Sequence, residues 1–338
     1  CSLFARYFSK LKDGFVSPNK IFVFLVLVSM VLVAGLQNNI GDTYFYMHSY
    51  SLKTITWEDV FKGDFGFNIY QMYLQRISKD PQILIFVTAL ITNILIVSVF
   101  YKYSRLFEIS IYVYITAGMF LVSMNGIRQF LAAAIIFAAT KYIMSGNWKK
   151  YIFIILLAST IHQSALVLIP IYFIVRRKAW TKETIILLLF AILLVAGFNQ
   201  FSNILFSVIQ NTKYSEYSDI NEGGANILRV LVHAAPVLLA YLGRDKLKEL
   251  YPNSDYIVNL ALINLIMMMI ATQNWIFARF TIYFGLYNIL LLSWVVKLFT
   301  KKDQNLVYFS IIIFYFIYFY YEHVISLNIR YGSDYISL

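Results

Sequence analysis

Arg128 stands near the start of the apolar stretch NGIRQFLAAAIIFAATKYI, and His162 stands in STIHQSALVLIPIYF, which holds no other charged side chain. A guanidinium presents a planar fork of donors to phosphate or carboxylate oxygens and stays charged at any working pH. An imidazole exchanges a proton near neutrality. At membrane depth either group is costly unless it meets a partner or a wet cavity, so each is a candidate for function. The pattern recurs at Arg229 and His233, four residues apart on one helical face, and at Arg279 in FARFTIYF. A plainer reading stands beside this one. An arginine at a membrane interface can simply snorkel, a histidine can tie a broken helix, and Arg229 with His233 can pair with Asp219 or Glu222.

The elements that must position these residues follow from composition. With 60% hydrophobic residues, 13% charged and a mean hydropathy of +0.68 over 338 residues, the chain is far more apolar than a soluble domain. Aromatic residues at 18% suit interfacial belts and a bundle packed with rings. The net charge of +11 is spread over short Lys/Arg clusters between apolar runs, which is how topology determinants look and not how a nucleic-acid groove looks. Cys1 is the single cysteine, so neither an internal disulfide nor a cysteine metal site is expected, and no metal or cofactor motif appears.

Apolar runs predict spans near 21–36, 82–100, 109–125, 127–144, 183–199, 226–243, 255–272, 277–296 and 305–321. Each would make roughly 24–32 Å of helix. The expected fold is all-α: one integral membrane bundle over 1–338, with about nine spans and an uncleaved first span. The stretch 151–175 is different, because Lys149 and Lys150 precede it and Arg176, Arg177 and Lys178 follow it. A single crossing would put one cluster outside; a returning segment keeps every basic cluster inside with the N-terminus. A re-entrant or broken helix pair, about 151–160 and 164–175, is therefore predicted with His162 at its turn. The loops 37–81 and 200–225 then lie outside, where Asp42, Glu58, Asp59, Asp64, Glu216, Asp219 and Glu222 dilute the positive charge. In this topology Arg128, Arg229, His233 and Arg279 all open their spans from the outer side. Glu322, His323 and Arg330 fall beyond the last span in an exposed outer tail.

The segments AGLQNNIGDTYFYMHSY (34–50), GDFGFNIYQMYLQ (63–75), NGIRQFLAAAI (125–135), ASTIHQSALVLIPIYF (158–173) and FARFTIYF (277–284) together resemble the EpsG family. This family comprises bacterial membrane proteins of exopolysaccharide and capsule assembly, related in role to Wzy-type polymerases. The resemblance runs from about residue 30 to 300 and implies importance for Asp42, Arg128, Gln129, His162, Ser164 and Arg279. One departure is plain: where the family usually has an arginine after A-G-L, this chain has Gln37.

What the resemblance implies is a glycosyltransferase of the bacterial plasma membrane, multi-pass, with its N-terminus cytoplasmic. Its partners would be undecaprenyl-diphosphate-linked oligosaccharide, membrane lipids and other polysaccharide assembly proteins, not nucleic acid. A growing glycan would leave its lipid diphosphate and join the sugar of an incoming lipid-linked unit at the outer face. Arg128 and Arg279 would hold the leaving diphosphate, and His162 would accept the hydroxyl proton. Asp42, Gln129, Ser164, Arg229 and His233 would bind substrate. Two other readings remain: a flippase or transporter for the same lipid-linked units, and a non-catalytic subunit of an assembly complex. A transporter tends to carry internal repeats and midplane charge, and this chain shows neither.

Overall fold

The computed structural model describes residues 1–12, 15–198 and 223–336. Backbone groups in hydrocarbon must bond within their own segment, and the apolar runs accordingly fold as helices. The exception to the all-α expectation is a small antiparallel hairpin, β1 (Lys10–Lys12) with β2 (Phe15–Ser17), in which Leu11 faces Val16. The chain forms two compact units, Cys1–Phe173 with Leu292–Leu338, and Ile174–Leu291.

The first unit runs through α1 (Ser2–Tyr7), α2 (Lys20–Gly35), α3 (Thr43–Leu52), α4 (Trp57–Val60), α5 (Phe65–Ile77) and α6 (Gln82–Tyr103). It continues with α7 (Phe107–Thr116), α8 (Met119–Asn125), α9 (Ile127–Ala138), α10 (Thr140–Ser145), α11 (Trp148–Ile161) and α12 (Leu168–Val175), and it ends with a C-terminal helix, Lys301–Phe319. Helix α6 is its axis, packed between α2 and α9. Ala132, Ala133 and Ala134 let α9 come close, while the buried rings of Phe100, Tyr114, Phe130 and Phe137 fill the space beyond. At one end of α6, Gln82 Nε2 donates to the carbonyls of Gly35 (2.7 Å) and Gln37 (3.2 Å). At the other, roughly 33 Å away, Trp294 Nε1 donates to the Tyr103 carbonyl at 2.8 Å. The unit thus has two poles.

The second unit contains α13 (Lys182–Ala196), α14 (Ile227–Leu242), α15 (Arg244–Leu250), α16 (Ser254–Ala271), a 3-10 turn over Trp275–Phe280 and most of α17 (Thr281–Val295). Helices α16 and α17 are both largely buried, and α16 packs on α13 and α14. Two backbone bonds, Ala225 N–H to Ala271 O (2.7 Å) and Trp275 N–H to Gly223 O (3.2 Å), stitch the entry of α14 to the exit of α16.

Among the described residues, five helices are long and apolar enough to cross a membrane, or up to seven if each bent pair is one span. The expected count of about nine is not confirmed. Helices α2 and α13 have 16 and 15 residues, roughly 22–24 Å against a hydrocarbon layer of about 30 Å. The run 109–125 is a pair bent by 56°, where Gly118 turns left-handed at φ +82°. The run 226–243 gives α14, after which the charged α15 turns away by 81°. The expected outer loop 37–81 carries helices α3, α4 and α5, and residues 200–222 of the other expected loop lie outside the described residues. Apolar side chains on the C-terminal helix, Phe309, Ile313, Phe314 and Ile317 among them, are exposed, an arrangement suited to lipid.

The break expected at His162 is present. Helix α11 ends at Ile161, His162 is extended (φ −153°, ψ 113°), and a 3-10 turn over Gln163–Val167 follows before α12. The first arm is longer than the expected 151–160. It starts at Trp148, where the Asn147 side chain caps the Lys150 N–H after Gly146 turns left-handed. One expectation is overturned: Glu322 and His323 are buried (2% and 7% exposed), not solvated. They lie in a π-helical turn, Tyr320–Ser326, and the imidazole fills the space that Gly118 leaves by having no side chain.

Candidate functional site

Asp64 precedes the first turn of α5, yet its carboxylate makes no bond to its own helix. It is turned instead toward the His162 break. Asp64 Oδ1 accepts from the Gln163 N–H (3.1 Å), while Oδ2 lies 3.2 Å from His162 Nδ1 and 3.4 Å from Arg128 Nη1. Arg128 Nε donates to Tyr46 Oη at 3.3 Å, and the guanidinium carbon lies over the rings of Tyr46 (5.6 Å) and Phe67 (5.7 Å). Three elements, α5, α9 and the α11 break, therefore meet at one carboxylate, and α3 joins them through Tyr46 on Arg128.

The apolar faces of α3 and α5 place that carboxylate. Tyr50, Phe67 and Leu74 form a buried cluster with Leu84, Ile85 and Ile127, which seats the 43–77 helices on the ends of α6 and α9. Amides hold the turns between: Gln75 Nε2 donates to the carbonyls of Tyr50 (3.0 Å) and Lys53 (2.7 Å), and Asn68 Nδ2 donates to that of Val60 (3.1 Å). Gly66 admits the closest approach. A Cβ there would run into the Thr160 side chain on α11, so only glycine brings residue 64 beside residues 162 and 163.

Before Arg128, a second network fixes the G-I-R turn. Gly41 is left-handed (φ +55°), the Asp42 N–H donates to Asn125 Oδ1 at 2.8 Å, and Thr43 Oγ1 donates to the Met124 carbonyl at 3.1 Å. Gln37, at the position where the resemblance expects arginine, is fully buried. Its Nε2 donates to Thr43 Oγ1 (2.7 Å) and its Oε1 accepts from the Ile40 N–H (3.0 Å). Gln37 therefore serves the turn and offers nothing to an anion. Asp42 makes no side-chain cap to α3, and its charge acts on Arg128.

Burial alone would raise the Asp64 pKa. The hydrogen bond and charge of His162, the Gln163 N–H and the charge of Arg128 outweigh it and hold the carboxyl below its usual range. An ionised carboxylate only accepts, so His162 Nδ1 must carry the hydrogen, which leaves Nε2 as the nitrogen where a proton can join or leave. With 24% of the His162 and 40% of the Arg128 side chain exposed, both open to solvent while Asp64 (7%) stays behind them. The arrangement can accept a proton at Nε2 and neutralise an anion beside it.

The other expected residues have these places. Gln129 is buried in α9 and Ser164 is half-buried in the 3-10 turn after His162. Arg229, His233 and Arg279 belong to the second unit. His233 is buried against Asn264, whose Nδ2 lies 2.5 Å from its Nδ1, and its carbonyl accepts from Asn288 Nδ2 at 3.2 Å. The alternative partners of Arg229 and His233, Asp219 and Glu222, lie outside the described residues. Arg279 stands near the start of the Trp275–Leu298 span, as expected, but not in an α-helix. It sits in the 3-10 turn before α17, which Asn274 starts by accepting from the Ile276 N–H, and its guanidinium lies 4.9 Å from the Trp275 ring.

Sequence reasoning missed Asp64 and Tyr46. Asp64 counted only as loop charge, although the need of a half-buried Arg128 for a counter-charge, together with the GDFGFN stretch at 63–68, was a usable signal. Among the described residues no three His, Cys, Asp or Glu side chains gather as a metal site. A family model described as the EpsG family matches residues 20–333. No curated protein and no solved structure matches the chain.

Proposed function

Since the chain belongs to the EpsG family, we propose that it polymerises exopolysaccharide repeat units carried on undecaprenyl diphosphate, acting as a glycosyltransferase at the outer face of the bacterial plasma membrane. The observation that carries this reading is the single carboxylate of Asp64 shared by His162 and Arg128. As the acceptor sugar attacks, its hydroxyl oxygen bonds to the anomeric carbon of the growing chain and its proton passes to His162 Nε2. The bond from that carbon to the diphosphate oxygen breaks, and the electron pair leaves with the diphosphate. Arg128 stabilises the charge that collects there. The donor bond is already activated, so no nucleotide is consumed. Asp64 holds the imidazole in the required tautomer and favours the imidazolium that forms. Asp42, Gln129 and Ser164 bind sugar or phosphate around this centre.

The test is reconstitution of the purified chain with lipid-linked repeat units. Polymer forming without other proteins supports the reading, and polymer appearing only with a partner rejects it. In a deletion strain, single repeat units should remain on lipid outside the membrane. Units trapped inside would indicate a flippase, and a uniform loss of all intermediates would indicate a scaffold.

A further inference from the structure

At the pole of the first unit away from Asp64, the N-terminal segment, the α6–α7 connection and the start of the C-terminal helix enclose a cavity of about 90 Å³. A single water needs roughly 10–15 Å³, so this space takes a polyatomic guest. Its wall carries Arg6, Lys297, Lys301, Gln304, Asn305 and Tyr308. Residues 301, 304, 305 and 308 follow i, i+3, i+4, i+7, one face of one helix turned toward the cavity.

Among the described residues, the charges around it do not balance. Arg6 Nη1 donates to Glu108 Oε1 at 2.7 Å and lies 4.9 Å from the Tyr308 ring. Glu108 also acts on Lys297, but it brings one negative charge to three cations. Asp303, next along the helix, turns its carboxylate to Thr300, whose Oγ1 donates to it at 2.6 Å. Two ammonium charges are left over inside a concave, polar wall, where fields are focused. Gln304 reinforces the wall, accepting from Lys297 Nζ (3.5 Å) and donating to the Phe299 carbonyl (3.0 Å).

We propose that this cavity binds a phosphate group, presented by an anionic lipid headgroup or as free phosphate, through Lys297 and Lys301 with Arg6 held behind them. Asn305 and Tyr308 in the wall add further polar groups beside it. The site is separate from the His162 centre, so its test does not require polymerisation.

The full-length protein in neutral detergent would be studied by native mass spectrometry with phosphatidylglycerol and with phosphatidylcholine. In parallel, thermal midpoints would be recorded in phosphate and in chloride at equal ionic strength. The expected result is one phosphatidylglycerol retained at least tenfold more strongly than phosphatidylcholine. The Lys301→Gln and Lys297→Gln/Lys301→Gln variants should lose that preference by tenfold or more. A midpoint raised by inorganic phosphate in the wild type and not in the variants would identify free phosphate as the source. Lys301 is exposed, so its single variant keeps the fold, and circular dichroism would check this. Retention and midpoints equal to wild type in both variants, or no response of the wild type to either probe, would overturn the site.

Discussion

At one pole of the first unit Asp64 divides itself among three donors, with Arg128 at 3.4 Å, His162 at 3.2 Å and the Gln163 N–H at 3.1 Å. At the other pole Glu108 takes one short bond, 2.7 Å, from Arg6. Both carboxylates are buried, and both arginines are about equally open, 40% and 41%. The difference is in what the carboxylate is asked to hold. A single short ion pair fastens the N-terminal segment to α7. A carboxylate shared among longer contacts leaves an imidazole and a guanidinium adjustable, able to take up a proton and an anion during a reaction. A buried ion pair is weak evidence of stabilisation by itself, because desolvation offsets attraction. Geometry separates the pole that fastens from the pole where the proposed reaction is placed.

Substitutions test that separation most directly at Arg128. Lysine keeps the charge but loses the planar fork, and polymer formation by the reconstituted protein should fall on the order of 10²–10³-fold. Wild-type polymer yield at equal protein level would remove Arg128 from the chemistry. Asp64→Asn should follow with a drop of roughly 10²-fold. Its effect should nearly vanish in a His162→Gln background, since the two act as one unit; full additivity in the double variant would contradict the tautomer argument. At the opposite pole the readout is stability. Arg6→Gln, which strips Glu108 of its partner, should cost about 2 kcal/mol and lower the thermal midpoint more than Arg128→Lys does. The reverse order would dissolve the contrast between the poles.

Gly66→Ala should cost about 1–3 kcal/mol by forcing α5 off α11, and it should reduce polymer yield through Asp64 displacement. A variant with normal yield would show that the close approach is dispensable. The smallest effect is in pH. The Asp64 carboxyl is held below its ordinary value, so the stability it contributes is present above the unfolded-state value of about 3.9 and is lost as pH falls through the lowered folded-state value. The midpoint gap between wild type and Asp64→Asn should stay level from pH 7 to about 5 and close below about 4. A gap that already closes near neutrality would mean that the carboxyl is not held ionised.

Much of this was legible along the chain. The helical class follows from apolar runs, the break at His162 from basic clusters on both sides of 151–175, and the candidacy of Arg128 from a charge at the mouth of an apolar helix. Segment lengths were less legible, because a hydropathy run does not say where a glycine bends it, as Gly118 does, or where a cap starts it early, as Asn147 does. Buried polar residues in the tail, Glu322 and His323, misled for the same reason. Their burial depends on space left by a glycine some 200 residues away in sequence, Gly118.

The residue types and their spacing by themselves determined that this chain is a membrane protein of helices, with costly cations at helix mouths and a histidine at a broken segment. These are local consequences of transfer free energy and backbone hydrogen bonding. Only the tertiary structure decided that Asp64 is the group that joins Arg128 to His162, that Gln37 is buried in a turn, and that Arg6, Lys297 and Lys301 share a cavity. A counter-charge is chosen by distance in space, and the distances here depend on how apolar faces far apart in sequence pack.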